Sequence, residues 1–122
     1  MKFSCEKALL QGAITVALRA AAAKSPIPAL EGLLLETMND SIQISGYDLK
    51  TGIRAKVPAE VTENGSVVLN ARLFAEIIRR LPDDTVCLTA DESLNARITC
   101  GMSQFNILGT NADDYPELPQ VD

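Results

Sequence analysis

The sequence predicts an α+β domain built from two βαβββ-like halves, with an antiparallel sheet that carries both helices on one face. Three observations predict it. Residues 6–24 and 70–82 repeat apolar side chains at helical spacing, and each segment follows a short β-prone stretch and precedes three more. The β-prone stretches alternate apolar and polar residues, as strands with one wet face do. The two helical segments are basic in a chain that is otherwise acidic, and if the halves pair side by side through a two-fold axis both helices land on one sheet face with their basic sides pointing the same way. No residue-level repeat accompanies this duplication of elements.

Residues 2–5 form the first short strand. In the helix over 6–24, at about 100° per residue, Leu9, Leu10, Ala13, Ile14, Val16, Ala17 and Ala21 make one apolar stripe. Lys7, Gln11, Thr15, Arg19 and Ala22 lie opposite, with no carboxylate among them, while Glu6 in the first turn suits the helix dipole. Lys24 and the Ser25-Pro-Ile-Pro28 run then form a stiff extended connection, because each proline fixes its own φ and biases its predecessor away from helix. Residues 32–38 read as a strand centred on Leu33, Leu34 and Leu35, and Asn39-Asp40 as a two-residue hairpin turn.

Ile42 and Ile44 alternate with Ser41, Gln43 and Ser45, and beyond a turn at 47–52 Ile53, Ala55 and Val57 alternate with Arg54 and Lys56. Both are half-buried strands. Residues 62–65 read as a loop and 67–69 as a strand. Asn70 is a good N-cap for the second helix, whose stripe is Leu73, Phe74, Ile77, Ile78 and Leu81 and which Pro82 ends. Its wet face carries Arg72, Ala75, Glu76 and Arg79, with Arg80 at the margin. Strands over 85–90, 95–100 and 104–108 follow, joined by turns at 91–93 and 101–103. Residues 1–110 are the expected domain. Residues 111–122, with Asp113-Asp114, Pro116, Pro119 and no periodicity, read as an exit linker toward a second domain.

Composition narrows the function. A chain of 122 residues is one domain with a real core. No apolar run is long enough to cross a bilayer and no signal-peptide core follows Lys2-Phe3, so a cytoplasmic protein without membrane contact is expected. Cys5, Cys87 and Cys100 are widely spaced and the chain has no His, so no metal and no cofactor are expected and the cysteines read as reduced thiols. The lack of His also weighs against acid-base catalysis. Asp48, Asp113 and Asp114 suit turn chemistry, and the seven glycines are dispersed without a phosphate-cradling motif.

Charge is the informative signal. The helical segments hold Lys7, Arg19, Lys24, Arg72, Arg79 and Arg80 against Glu6 and Glu76, six minus two, in a chain of net charge −5. Everything else therefore sums to −9. Such faces suit phosphates, and without stacking aromatics they suit weak duplex contact that ignores base sequence. Lys7, Arg19, Lys24, Arg72 and Arg79 are the candidate DNA-facing residues.

Several stretches, in order, resemble the first domain of the bacterial DNA sliding clamp, the beta subunit of DNA polymerase III. They are Met1-Lys2-Phe3, the run Pro28-Ala-Leu-Glu-Gly-Leu-Leu-Leu-Glu36, Gly46-Tyr-Asp-Leu49, residues 70–82, and Phe105 through Tyr115-Pro-Glu-Leu-Pro119. The resemblance implies a non-catalytic processivity factor of three such domains, two chains of which close a homodimeric ring around duplex DNA with the helices lining the hole. It implies that Lys24 and Arg72 match basic positions facing DNA. It also implies that Phe105 and Ile107, with Leu73 and Ile77, belong to the ring interface. Leu73, Met102 and Gln104 stand where well-studied members carry basic residues, so an apolar joint is expected. Contacts with polymerase subunits and the clamp loader, and the client-peptide cleft, are expected in later domains. Two other readings stay open: an interaction module that dimerises through the Phe105 edge without nucleic acid, and a His-free hydrolase using Asp113 and Asp114.

Overall fold

The computed structural model describes residues 1–118. Its order is β1 (Lys2–Glu6), α1 (Lys7–Leu18), a 3-10 turn at Pro28–Glu31, β2 (Gly32–Thr37), β3 (Ser41–Tyr47), β4 (Gly52–Pro58), β5 (Glu60–Glu63) and β6 (Ser66–Asn70). Then come α2 (Ala71–Arg80), β7 (Thr85–Ala90), β8 (Asn95–Cys100), β9 (Ser103–Leu108) and a 3-10 turn at Ala112–Asp114. The two halves are present: β1-α1-β2-β3-β4 and β6-α2-β7-β8-β9. Each half keeps its last three strands together and lends its first strand to the other. Thus β1 pairs with β7, and β6 pairs with β2. That exchange has two-fold symmetry.

It also splits the single expected sheet. Two antiparallel sheets form, in the orders β5-β1-β7-β8-β9 and β4-β3-β2-β6. A strand in the stretch read partly as a loop, β5, extends the first sheet along β1. The second sheet is closed along β6 by a bridge between Val68 and Thr110. One apolar cluster takes Phe3, Leu88 and Ile98 from the first sheet, Leu33, Ile44 and Leu69 from the second, and Leu10, Ile14, Phe74 and Ile78 from the helices. Burying side chains of this size contributes about 1.5–3 kcal/mol each, which is what holds two sheets and two helices to one core.

Helix α1 is shorter than the apolar spacing suggests. It ends at Leu18, where Arg19, Ala20 and Ala21 turn their amides to carbonyls three residues back and Ala22 donates instead to Leu30 O at 3.0 Å. Ala20 is fully buried, so tertiary packing overrides the helix preference of the alanine run. The stripe is narrower too. Leu10, Ala13, Ile14 and Ala17 are buried, but Leu9 (47%) and Val16 (40%) are exposed. The reason lies in β3: a Cβ at Gly46 would fall on the carbonyl oxygen of Ala17, so α1 presses its small residues onto the strand backbone.

The tail is no free linker over its described part. Tyr115 and Leu118 are buried in a second cluster with Leu30, Tyr47 and Val68, and the Tyr115 hydroxyl donates to Ser45 O at 3.5 Å. Burial pushes the Tyr115 phenol up to about 12. The rest of the expected linker, residues 119–122, lies outside the described residues.

Candidate nucleic-acid interface

The helices lie side by side and antiparallel. At one end, the Lys7 ammonium at the start of α1 donates to Leu81 O (2.6 Å) and Arg79 O (3.3 Å) at the end of α2. At the other end, a groove of about 140 Å³ is lined by Leu18, Ala21 and Ala22 from the α1 side and by Ala71 and Arg72 from the start of α2, with Glu31. Arg72 therefore sits beside the segment that carries Arg19 and Lys24. All three side chains are exposed, and among the described residues none of the three side chains has an ion-pair or hydrogen-bond partner.

The five candidate cations separate into two kinds. Lys7 is committed to the fold, because it satisfies carbonyls that α2 leaves open at its C-terminus and meets the negative end of that helix dipole. Arg79 and Arg80 occupy the last turn of α2, where the dipole also favours cations, and they share Glu76. Arg79 Nη2 lies 2.6 Å and Arg80 Nε 2.9 Å from Glu76 Oε1. Those hydrogen bonds, the one from Arg79 first, hold the Glu76 carboxyl below the usual glutamate range and raise the Arg79 guanidinium in turn. One acid between two arginines halves the free charge at that end.

Arg72 is the opposite case. Asn70 caps α2, its Oδ1 accepting from Leu73 N at 3.0 Å, and Arg72 follows two residues later in the first turn. A cation there sits against the positive end of the dipole, so helix electrostatics supply no reason for it. Nor does any neighbouring acid pair with it among the described residues. Arg19 follows the end of α1, and Lys24 lies in the turns before Pro28. The unspent positive charge is thus concentrated at one end of the helix pair.

Between the ends, α1 contributes almost no charge. Its exposed residues are Ala8, Leu9, Gly12, Thr15 and Val16. The expected basic wet face of α1 is therefore replaced by a neutral one, with Arg19 and Lys24 beyond its end. Charge on the outer side is also less uniform than composition suggests. Lys2, Thr89, Arg97 and Asn106 pair in register across β1, β7, β8 and β9. Glu6, Asp83 and Asp84 gather at the start of α1.

The four interface candidates also divide. Phe105 is half-buried on β9, an edge strand, and Leu73 is exposed (48%) on the wet side of α2, outside the stripe the periodicity assigned it. Ile77 and Ile107 are buried in the core and offer almost no surface to a partner. Met102, which the resemblance placed at the joint, is fully exposed in the turn before β9; Leu108, exposed at the end of that strand (72%), was missed. A signal was available: no charged residue lies between Arg97 and Asp113.

The acidic candidates serve turns. Asp48 Oδ1 accepts from Thr51 N (2.7 Å) and Lys50 N (2.9 Å), which hold its carboxyl below the usual range. Asp113 and Asp114 are exposed on a 3-10 turn, and no group of His, Cys, Asp or Glu among the described residues could hold a metal ion. Cys5 and Cys100 are buried free thiols and Cys87 is half-buried; burial pushes Cys5 up to about 12, so it stays protonated. No helix among the described residues is long and apolar enough to cross a membrane.

Comparison with known proteins identifies the family. The family model described as DNA polymerase III beta subunit, N-terminal domain, matches residues 1–119. The chain belongs to that family. It is 36% identical to the beta sliding clamp of Streptomyces coelicolor over 99% of its own length and 32% of that protein. It is 32% identical to the beta sliding clamp of Bacillus subtilis, covering 34% of that protein. The solved structure of the Bacillus subtilis DNA polymerase sliding clamp superposes with a TM-score of 0.96 over 100% of this chain and 34% of that one. A beta-subunit structure from Eubacterium rectale superposes equally well, at 31% identity. The chain thus spans about a third of the relatives it matches.

Proposed function

We propose that this chain is the first domain of a ring-forming processivity factor, which holds a replicative polymerase on duplex DNA without catalysing a reaction. The observation that carries the reading is Arg72, a cation placed against its own helix dipole, unpaired among the described residues and beside the segment bearing Arg19 and Lys24. Phosphates would supply the missing partner. The relatives' name, sliding clamp, agrees with such a role.

The physics requires this contact to be weak. Helices packed about 8–10 Å apart cover an arc of roughly 20 Å, so one domain does not surround a duplex, and retention needs ring closure in addition to these contacts. A few phosphate contacts, screened by salt, keep the duplex centred and let it slide. Arg72, Arg19 and Lys24 are assigned to that contact, with Arg79 adding a partly neutralised charge. Lys7 is assigned to the fold. The half-buried Phe105 and the exposed Leu73 are assigned to ring closure with a second chain. Binding of polymerase subunits and the loader is assigned to the rest of the longer protein.

The test uses the full-length protein with Arg19→Glu, Lys24→Glu and Arg72→Glu together, loaded on nicked circular DNA. Retention time on the circle should fall at least about tenfold, in line with the loss of several phosphate contacts. Thermal stability should be unchanged, because none of the three holds the fold together. Unchanged retention would favour the interaction module without nucleic acid.

A further inference from the structure

The described tail crosses the outer face of the second sheet, from the bridge at Val68 on β6, past Ser45 on β3, to Arg54 on β4. Between tail and sheet lies a groove of about 490 Å³. Three strand spacings make its floor about 14 Å long. Glu36 on the floor and Asp113 and Glu117 on the tail line it, and among the described residues none of the three carboxylates has an ion-pair or hydrogen-bond partner. Arg54 is the cation among the described lining residues, and it sits at one end, donating to Leu118 O at 3.4 Å.

The deciding group is Ser45. Ile42 and Ile44 of β3 point into the core, so Gln43 and Ser45 face outward, toward the tail. Ser45 lines the groove and is 1% exposed, yet its hydroxyl has no hydrogen-bond partner among the described residues. A buried hydroxyl left unpaired is destabilising, and a donor seated in the groove supplies what it lacks.

The lining also selects the occupant. It must be cationic, because carboxylates outnumber Arg54 by three to one. Its charge must be spread along a chain, because among the described residues no group of acids, Cys or His could hold a metal ion. It must need no main-chain partner, because the floor strands β2 and β3 are already paired on both sides. A linear oligoamine meets all three conditions.

We infer that this groove binds a linear oligoamine, whose ammonium groups span Glu36 on the sheet and Asp113 and Glu117 on the tail while the Ser45 hydroxyl accepts from one of them. Bound in this way, the ligand ties the tail to the sheet. The site is independent of the ring reading above.

The experiment adds spermidine to the full-length protein without DNA and follows hydrogen exchange in the tail. The amides of Asp114 and Tyr115, which donate to Asn111 O and Ala112 O, should exchange at least about threefold more slowly once the groove is filled. Glu36→Gln with Glu117→Gln should raise the half-saturating spermidine concentration at least about tenfold, by removing two charged acceptors. Ser45→Ala, which takes away an unpaired hydroxyl and so keeps the fold, should raise it at least about threefold. Glu60→Gln with Glu63→Gln, an equal loss of charge on β5 and outside the groove, should leave it unchanged. Magnesium chloride at matched ionic strength should give no protection. Equal weakening by the β5 pair would reveal general charge screening, and protection by magnesium would reveal a point-cation site; either overturns the oligoamine groove. Indifference to Ser45→Ala would overturn the contact at the floor, and a tail unprotected at every spermidine concentration would overturn the site.

Discussion

Helices α1 and α2 hold equivalent places in the two halves, yet they solve the same packing problem in opposite ways. Helix α2 is amphipathic: Phe74, Ile77 and Ile78 fill the core, and Arg72, Arg79 and Arg80 point to water. Helix α1 is apolar nearly all round, and it reaches the core through closeness, with Ala17 against the bare backbone at Gly46 and Ala13 buried one turn earlier. The difference shows that charge on this surface is not a by-product of building two surface helices. One helix needs none, so the cations at its far end and on α2 call for separate reasons. Capping and the dipole account for Lys7, Arg79 and Arg80; they do not account for Arg72.

The contrast can be broken hardest at Phe74. It is fully buried, and Phe74→Ala should cost about 3–5 kcal/mol, the transfer of the ring plus the cavity left behind. Denaturant titration of the full-length protein, following a signal from this domain, measures it. A loss under about 1 kcal/mol would mean that α2 is not anchored by its large side chains.

Gly46→Ala tests the other mode. One methyl group would meet the Ala17 carbonyl, a backbone atom that moves only if α1 moves. The expected cost is about 1–3 kcal/mol, as for overpacking elsewhere, although alanine is the smallest side chain available. The same substitution at Gly12 on the wet face meets nothing, so the pair separates packing from propensity.

How much of this was legible in the sequence follows from the same contrast. In α2 the large residues mark the buried side and Asn70 marks the start, and both readings stand except at Leu73. The strands over 85–90 and 95–100 match because each alternates cleanly between core and solvent. In α1 apolar residues occur on every side, so periodicity could not show that the two alanines, not Leu9 and Val16, face the core. That choice is made by a glycine on another strand. The exposed residues of β5 carry no apolar alternation, and the strand exists because β1 offers it an edge. The exchange of β1 and β6 between halves, which divides the sheet in two, is likewise a long-range fact. As for the site, the types and positions of the cations were readable, but which of them are already spent was not. Lys7 meets its carbonyls across more than seventy residues of chain.

Lys7 couples the two helices, and Lys7→Met sharpens the division of cations into structural and free. It keeps the stem and removes the charge, leaving the Leu81 carbonyl without its donor. The expected loss is about 1–2 kcal/mol, the range for a charged hydrogen bond at a partly buried helix end. DNA retention by the ring should be unchanged, which distinguishes Lys7 from Arg72. If retention falls as far as it does for the Arg19, Lys24 and Arg72 reversal, Lys7 belongs to the duplex contact after all.

The smallest effect has the opposite sign. Gly12 sits mid-helix on the exposed side of α1, where its backbone freedom costs the folded state about 0.5–1 kcal/mol relative to alanine. A Cβ there would enter open space, so Gly12→Ala should stabilise the domain by that amount. Because the neutral face of α1 makes no phosphate contact in the reading above, retention on a DNA circle should stay the same. A stabilised variant whose ring no longer slides or loads would show that something approaches α1 closely enough to need the glycine. The neutral helix would then be a working surface, and the asymmetry between the two helices would lie in what each contacts, not in whether it contacts anything.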